Sequence, residues 1–236
     1  MKLPLLLFFQ ATLPYWAVRP FVERFWEKFW QEEKAKEDKL HQKQTPSLRH
    51  SERAVLMECL SRFHPFFSVI DIGCSHGQML HLLAPVFTHV SFIGVDIDPE
   101  RVSGGNDVLE KEGIGNARLV NIDASNLAAF AEDSFDVAIS CASLLYLDPD
   151  KFESAILEMK RISKRGFVLA ELHDESAGEG EYTSYKPAFS SYWMRDYRKL
   201  FSKLIPDSEV KFHKITNALW TTEYWKDKGY VIEVRF

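Results

Sequence analysis

The 236-residue sequence predicts an α/β protein: a doubly wound, mostly parallel sheet with helices on both faces and an antiparallel strand at its end. Three observations carry this expectation. The stretch Phe67-Ser68-Val69-Ile70-Asp71-Ile72-Gly73-Cys74-Ser75-His76-Gly77 is an apolar run that ends in an acid and passes through a small-residue turn, with a helical pattern opening at Gln78. From Phe67 to Glu171, short β-branched runs then alternate with amphipathic helical ones. After His173 the alternation stops, and the tail carries β-like runs instead.

Taken in order, the chain opens on two segments that stand apart from this alternation. Leu3 to Val18 is strongly apolar but holds Pro4, Pro14 and Gln10. It is shorter than the ~20 residues that a spanning helix needs. From Phe21 to Trp30, six apolar and aromatic residues recur at helical spacing, with Glu23, Arg24, Glu27 and Lys28 opposite. An aromatic stripe beside an apolar segment reads as an interfacial helix, giving peripheral membrane contact through residues 3–30. A helix packed on the domain or on a partner chain has the same pattern. Gln31 to Gln44 is a solvated charged run. The organisation read here is therefore residues 1–44 as an extension and 45–236 as the folded domain.

Within the domain, Ser51 can cap a helix through Arg62 whose apolar face is Val55, Leu56, Cys59 and Leu60. Strand one is Phe67–Asp71, followed by a helix through Ala84. Strand two is Val90–Asp96, and Pro99 opens a helix to Lys111 that Gly113 and Gly115 end. Strand three is Ala117–Ile122, a short helix covers Leu127–Ala131, and strand four is Phe135–Ser140. A helix over Pro149–Ser163 puts Phe152, Ala155, Ile156, Met159 and Ile162 on one face. Strand five is Phe167–Glu171. A polar, Tyr-rich loop (Glu175–Ser190) precedes a helix over Tyr192–Leu204, and strands over Glu209–Thr216 and Tyr230–Phe236 end the chain.

Composition narrows the function classes. A net charge of −5 and a pI near 5.9 argue against a nucleic-acid acceptor, which calls for a basic face. Cys59, Cys74 and Cys141 form no C-x-x-C pair, so neither a disulfide framework nor a zinc site is indicated. Widely spaced thiols suit a reducing, cytoplasmic compartment, here at the inner face of a membrane if residues 3–30 dock there.

The loop after strand one has two readings. Gly73-Cys74-Ser75-His76-Gly77 is a literal G-x-S-x-G, the nucleophile elbow of α/β-hydrolases, for which an Asp near 148–150 and His173 or His213 would complete a triad. The same loop, Asp71-x-Gly73-x-Ser75-x-Gly77, resembles motif I of class I S-adenosylmethionine (SAM)-dependent methyltransferases, with Ser75 at the middle glycine. Further motifs follow in order. Gly94-Val95-Asp96-Ile97-Asp98-Pro99 ends strand two, Asp123-Ala124 follows strand three, and the run from Phe135-Asp136 to Leu147 spans strand four. No strands are read before Phe67, whereas an elbow follows several.

The resemblance covers Val55 to His173 and implies a Rossmann-like fold, SAM as cofactor and methyl transfer as the activity. It implies a cofactor set of Asp71, Gly73, Cys74, Ser75, Gly77, Asp96, Ile97, Asp123, Ala124 and Ser140. Within that set Asp96 takes the ribose hydroxyls and Asp123 the adenine amino group. Asp98 reads instead as an N-cap and Asp136 as structural. His173, just past strand five, is the expected general base for a protonated nucleophile. No metal is expected. The acceptor expected from the acidic charge and the apolar N-terminus is a small molecule, lipid or glycan, O- or N-methylated. A non-catalytic adaptor built on the same fold is the alternative outside enzymes.

Overall fold

A computed structural model describes residues 51–177, 181–185, 190–215 and 223–236. The two segments within residues 1–44 lie outside them. The described chain begins with helix α1 (Ser51–Ser61) and continues through β1 (Ser68–Ile72), α2 (Gln78–Leu83), β2 (Ser91–Asp96), α3 (Pro99–Lys111) and β3 (Ala117–Asn121). β4 (Val137–Cys141) is followed by a 3₁₀ turn (Leu144–Tyr146), α4 (Pro149–Ile162) and β5 (Gly166–Leu172). A hairpin of β6 (Glu181–Tyr185) and β7 (Ser190–Met194) comes next, then α5 (Tyr197–Leu204), β8 (Glu209–Lys214), α6 (Glu223–Lys228) and β9 (Gly229–Arg235).

Seven strands form one sheet in the order β3-β2-β1-β4-β5-β9-β8. β1 to β5 run parallel, and β9 pairs antiparallel with both β5 and β8. Alternate side chains supply the two cores, as the strand period requires. Val69, Val137, Val168 and Ala170 face the layer of α1, α2 and α3. Ile70, Ala138, Phe167 and Leu169 face α4 and α5. The chain order reverses between β1 and β4, which opens a crevice beyond the carboxyl ends of those strands.

Local chemistry sets the boundaries. Asp98 caps α3, accepting from the N–H groups of Glu100 (3.0 Å) and Arg101 (3.2 Å), with Pro99 as first residue. The Asp136 carboxylate accepts from the Phe67 and Ser68 N–H groups at the other end of the sheet and is structural, as read from sequence.

Three expected elements differ. Residues 127–131 form turns rather than a helix. Asp123 and Asn126 each draw in an N–H two residues on, while Arg161 binds the Leu127 and Phe130 carbonyls, so the backbone is satisfied without helical bonds. The expected helix at Tyr192 is strand as far as Met194, because Asp196 caps α5 only at Tyr197. The expected loop after Glu175 contains a 3₁₀ turn and the paired strand β6.

Candidate active site

A cavity of about 430 Å³ lies at the carboxyl ends of β1, β2 and β4, within the range of small-molecule sites. Eight of the residues expected from sequence meet there: Asp71, Gly73, Cys74, Ser75, Asp96, Ile97, Asp123 and Ala124. Gly77 and Ser140 stand just outside it. Gly77 is the left-handed N-cap of α2, and the buried Ser140 hydroxyl donates to the Ile72 carbonyl at 2.9 Å.

The loop after β1 is shaped for close approach to the main chain. The Gly73 and Cys74 N–H groups donate to the Val95 carbonyl, binding the loop to β2. Gly73 has φ 72°, and a Cβ there would sit 1.6 Å from the Ser143 hydroxyl, so only glycine fits. Ser75 also lies in the left-handed region, at φ 52°, without glycine's freedom. Its N–H donates to Asp96 at 2.8 Å, and the other Asp96 oxygen accepts from the Asp98 N–H at 3.0 Å. The Asp96 carboxylate is thereby fixed at the rim of β2, facing the cavity.

Charge is graded along the cleft. Burial, reinforced by the neighbouring Asp96 charge and opposed by Arg53, pushes the Asp71 carboxyl up to about 7. Asp123 is held below its ordinary range by the Ser125 N–H, with its hydroxyl and Lys151 adding to the effect. Burial raises the Cys74 and Cys141 thiols, which keeps both protonated rather than nucleophilic. An acidic centre beside glycine-lined backbone suits a cationic nucleoside ligand, which is what SAM is.

The lining also includes residues that the sequence does not single out, Glu52, Arg53 and Lys151 among them. Glu52 and Arg53 come from α1, whose sequence pattern shows only an apolar face. Burial pushes the Glu52 carboxyl up to about 7 against the pull of Arg53. Tyr146, 58% exposed, and Lys151 come from the segment after β4. Tyr146 falls in the strand-four block whose end the resemblance implies as lining the cofactor's methionine part and the substrate mouth.

His173 lies elsewhere. Its ring is buried between Phe212 and Tyr230, and its Nδ1 accepts from the Tyr197 N–H at 3.2 Å. Among the described residues, no histidine lines the cleft. The Ser75 hydroxyl meets His76 Nδ1 at 3.3 Å and Arg101 at 3.4 Å, whereas His213 pairs with Glu233 beside Arg62. The triad of the hydrolase reading is therefore not assembled. The sequence offers Tyr182, Tyr185, Tyr192, Trp193 and Tyr197 either as a substrate lid or as core and loop packing; of these, Tyr197 is core and Trp193 stacks towards Arg195. The side chains of Tyr182, Tyr185 and Tyr192 lie outside the described residues.

The comparisons agree with this geometry. Residues 69–166 match the methyltransferase domain family. A tRNA (guanine-N(7)-)-methyltransferase of Geobacillus kaustophilus is 23% identical over 164 residues, covering 55% of this chain and 76% of that protein. A malonyl-[acyl-carrier protein] O-methyltransferase of a Paenibacillus species is 28% identical over 102 residues, covering 43% of this chain and 36% of that protein. Among solved structures, the [4+2]-cyclase SpnF aligns with a TM-score of 0.62 at 17% identity, covering 78% of this chain and 80% of its own. The glycopeptide N-methyltransferase MtfA, solved with SAM, aligns with a TM-score of 0.59 at 11% identity, covering 78% and 93%.

These relatives correct one expectation. Two further tRNA (guanine-N(7)-)-methyltransferases, from Geobacillus thermodenitrificans and Enterococcus faecalis, are 24% and 25% identical to this chain. A nucleic-acid acceptor therefore cannot be set aside on the net charge of −5, which averages over the whole surface and says little about one cleft. Bound at these strand ends, SAM supplies an electrophilic methyl group on a sulfonium that leaves as a neutral thioether. With this sheet order, these strand-end acids and the matched domain, the chain has the class I SAM-dependent methyltransferase fold and is a methyltransferase that uses SAM.

Proposed function

We propose that this enzyme methylates a base nitrogen in RNA, with guanine N7 of tRNA as the first candidate. The observation that carries the reading is the similarity to three tRNA (guanine-N(7)-)-methyltransferases over 55–56% of the chain. Two features of the cleft support it. A ring nitrogen such as N7 already offers a lone pair, so the protein needs to supply position and field rather than a base. That agrees with a cleft in which no histidine appears among the described lining residues. At the rim, Tyr146, 58% exposed, offers a flat ring for a splayed base, and Ile97, 64% exposed, adds aliphatic surface. Arg53 and Lys151 bring positive charge to the same cleft. In this reading Asp96 and Asp123 hold the nucleoside end of the cofactor, and the acidic centre favours the sulfonium. The N7 product keeps its positive charge and loses no proton in the transfer.

The test is incubation with methyl-labelled SAM and unmodified tRNA transcripts, followed by nucleoside mass spectrometry. The expected product is one methylated guanosine per acceptor tRNA. Label absent from RNA but recovered as a base-labile methyl ester on malonyl-acyl carrier protein would replace this acceptor with a carboxylate.

A further inference from the structure

Beside the cleft is a second buried polar set that plays no part in the reading above. Glu171, fully buried near the end of β5, points its Oε1 at two consecutive backbone N–H groups, those of Ser143 (3.0 Å) and Leu144 (2.9 Å). Arg195, fully buried just after β7, approaches the same segment from the other side. Its guanidinium donates to the Leu144 carbonyl at 3.2 Å and to the Leu147 carbonyl. It is held there by stacking on Phe152 of α4 (4.3 Å to the ring centre) and Trp193 of β7 (5.8 Å). An acid and a base thus grip one short turn by its donors and by its acceptors.

That turn is a wall of the cleft. Ser143, Tyr146 and Leu147 all line the cavity, and Ser143 is the residue that excludes a Cβ at Gly73. The turn begins at Ala142, a non-glycine residue at φ 54°, a conformation that persists only where the surroundings over-determine it. Leu144 and Leu145 bury their side chains in the two cores, which anchors the middle of the turn. Glu171 and Arg195 add polar bonds that fix its main chain, and Arg195 joins the β6–β7 hairpin to the same wall.

We infer that Glu171 and Arg195 are positioning residues for methyl transfer. Neither touches the cleft, but together they fix the Ser143–Leu147 turn against Gly73 and set the width of the cofactor site. Arg195 also transmits any movement of the hairpin to Tyr146. The inference rests on the SAM assignment of the cleft and is independent of which acceptor the enzyme uses.

Calorimetric titration with S-adenosylhomocysteine (SAH), run well below the melting temperature of each variant, tests it. Glu171→Ala and Arg195→Met should each weaken SAH binding about tenfold or more. Glu171→Gln should recover affinity to within about threefold, because the amide oxygen still accepts from both N–H groups. Arg195→Lys should recover only part, because one ammonium does not match two carbonyls. Since both residues act on one turn, the losses in the double variant should fall short of their sum. A core variant with a matched drop in melting temperature, Phe201→Leu, separates positioning from general loosening and should leave SAH affinity unchanged.

Folded Glu171→Ala and Arg195→Met proteins that bind SAH as the wild type does overturn the inference. So does equal weakening in Phe201→Leu. If the drastic variants do not fold, Arg195→Lys decides: about fivefold weaker SAH binding supports the clamp, and wild-type binding overturns it. Wild-type protein that fails to bind SAH overturns the cofactor assignment itself, a different and separately visible result.

Discussion

Near the ends of β1 and β5 stand two acids that are alike in burial and unlike in use. Both Asp71 and Glu171 are buried, and burial pushes each carboxyl up to about 7. Asp71 faces the cavity with Asp96 beside it, and that second negative charge adds to its rise. Glu171 faces protein: backbone N–H groups of residues 143–145 and the Arg195 charge oppose the rise. The β1 side keeps its electrostatic need unmet inside the molecule, so a cationic ligand can meet it. The β5 side turns one carboxylate oxygen to main chain, while Oε2 has no hydrogen-bond partner among the described residues, and so braces a wall. Burial alone does not identify a functional acid; what faces it does.

The largest expected effect breaks the cleft side of this comparison. Asp96→Ala removes a carboxylate held by two backbone N–H groups and available to two hydroxyls. Charge-assisted hydrogen bonds of this kind contribute about 1.5–3 kcal/mol each. SAH affinity should therefore fall about a hundredfold or more, read by calorimetry. Affinity kept within threefold would remove Asp96 from the cofactor site.

The next effect uses ligand charge. SAM carries a net positive charge and SAH carries none, so only SAM should favour the ionised form of Asp71. The ratio of SAM to SAH affinity should rise about fivefold from pH 6 to pH 8, for a coupling on the order of 1.4 kcal/mol with one charge several ångströms away. Titration near pH 7 in two buffers of different ionisation enthalpy should show proton release with SAM only. A flat ratio would mean that Asp71 does not face the sulfonium end.

Without ligand, the same acids act on stability. A carboxyl raised in the folded state contributes stability below its unfolded pKa and loses it as pH rises through the folded value. Asp71, Glu171 and Glu52, each raised to about 7, all act in this sense between about pH 4 and pH 7. His173, lowered by burial, works the other way as pH falls below its ordinary 6.5. Three groups against one should make the protein melt about 3 °C higher at pH 5 than at pH 7.5, on the order of 1 kcal/mol. Scanning calorimetry with a lower melting point at pH 5 would refute the assigned burial of these acids.

The cleft side was legible in the sequence and the clamp behind its wall was not, for a physical reason. Asp71, Gly73, Asp96 and Asp123 act through strand-end position and backbone approach, and both are written locally: an acid after an apolar run, a glycine where φ is positive. The clamp is written nowhere locally. Glu171 reads as a strand-end residue and Arg195 as one polar residue among aromatics, and only the tertiary fold brings them to one turn. Glu52 escaped because a helix read by its apolar face says nothing about which polar residue borders a cavity. His173 misled in the opposite sense. A histidine just past a strand end is placed as a base would be, yet its ring is turned into the aromatic packing of Phe212 and Tyr230.

Ser75 gives the smallest effect and the finest test of the cleft side. Its residue type departs from the glycine of the motif, but its backbone does not, because it still takes φ 52° and still donates to Asp96. A side chain in the left-handed region costs about 1–2 kcal/mol that glycine does not pay. Here the hydroxyl recovers part of that through His76 and Arg101 at 3.3 and 3.4 Å. Glycine also brings a more flexible unfolded chain, which works against the gain. Ser75→Gly should therefore raise the melting temperature by only about 1–3 °C, less than 1 kcal/mol. Its SAH affinity should stay within about threefold of wild type, because the N–H to Asp96 is unchanged. A larger gain in affinity would mean that the serine Cβ obstructs the cofactor. A loss would mean that the hydroxyl itself belongs to the site.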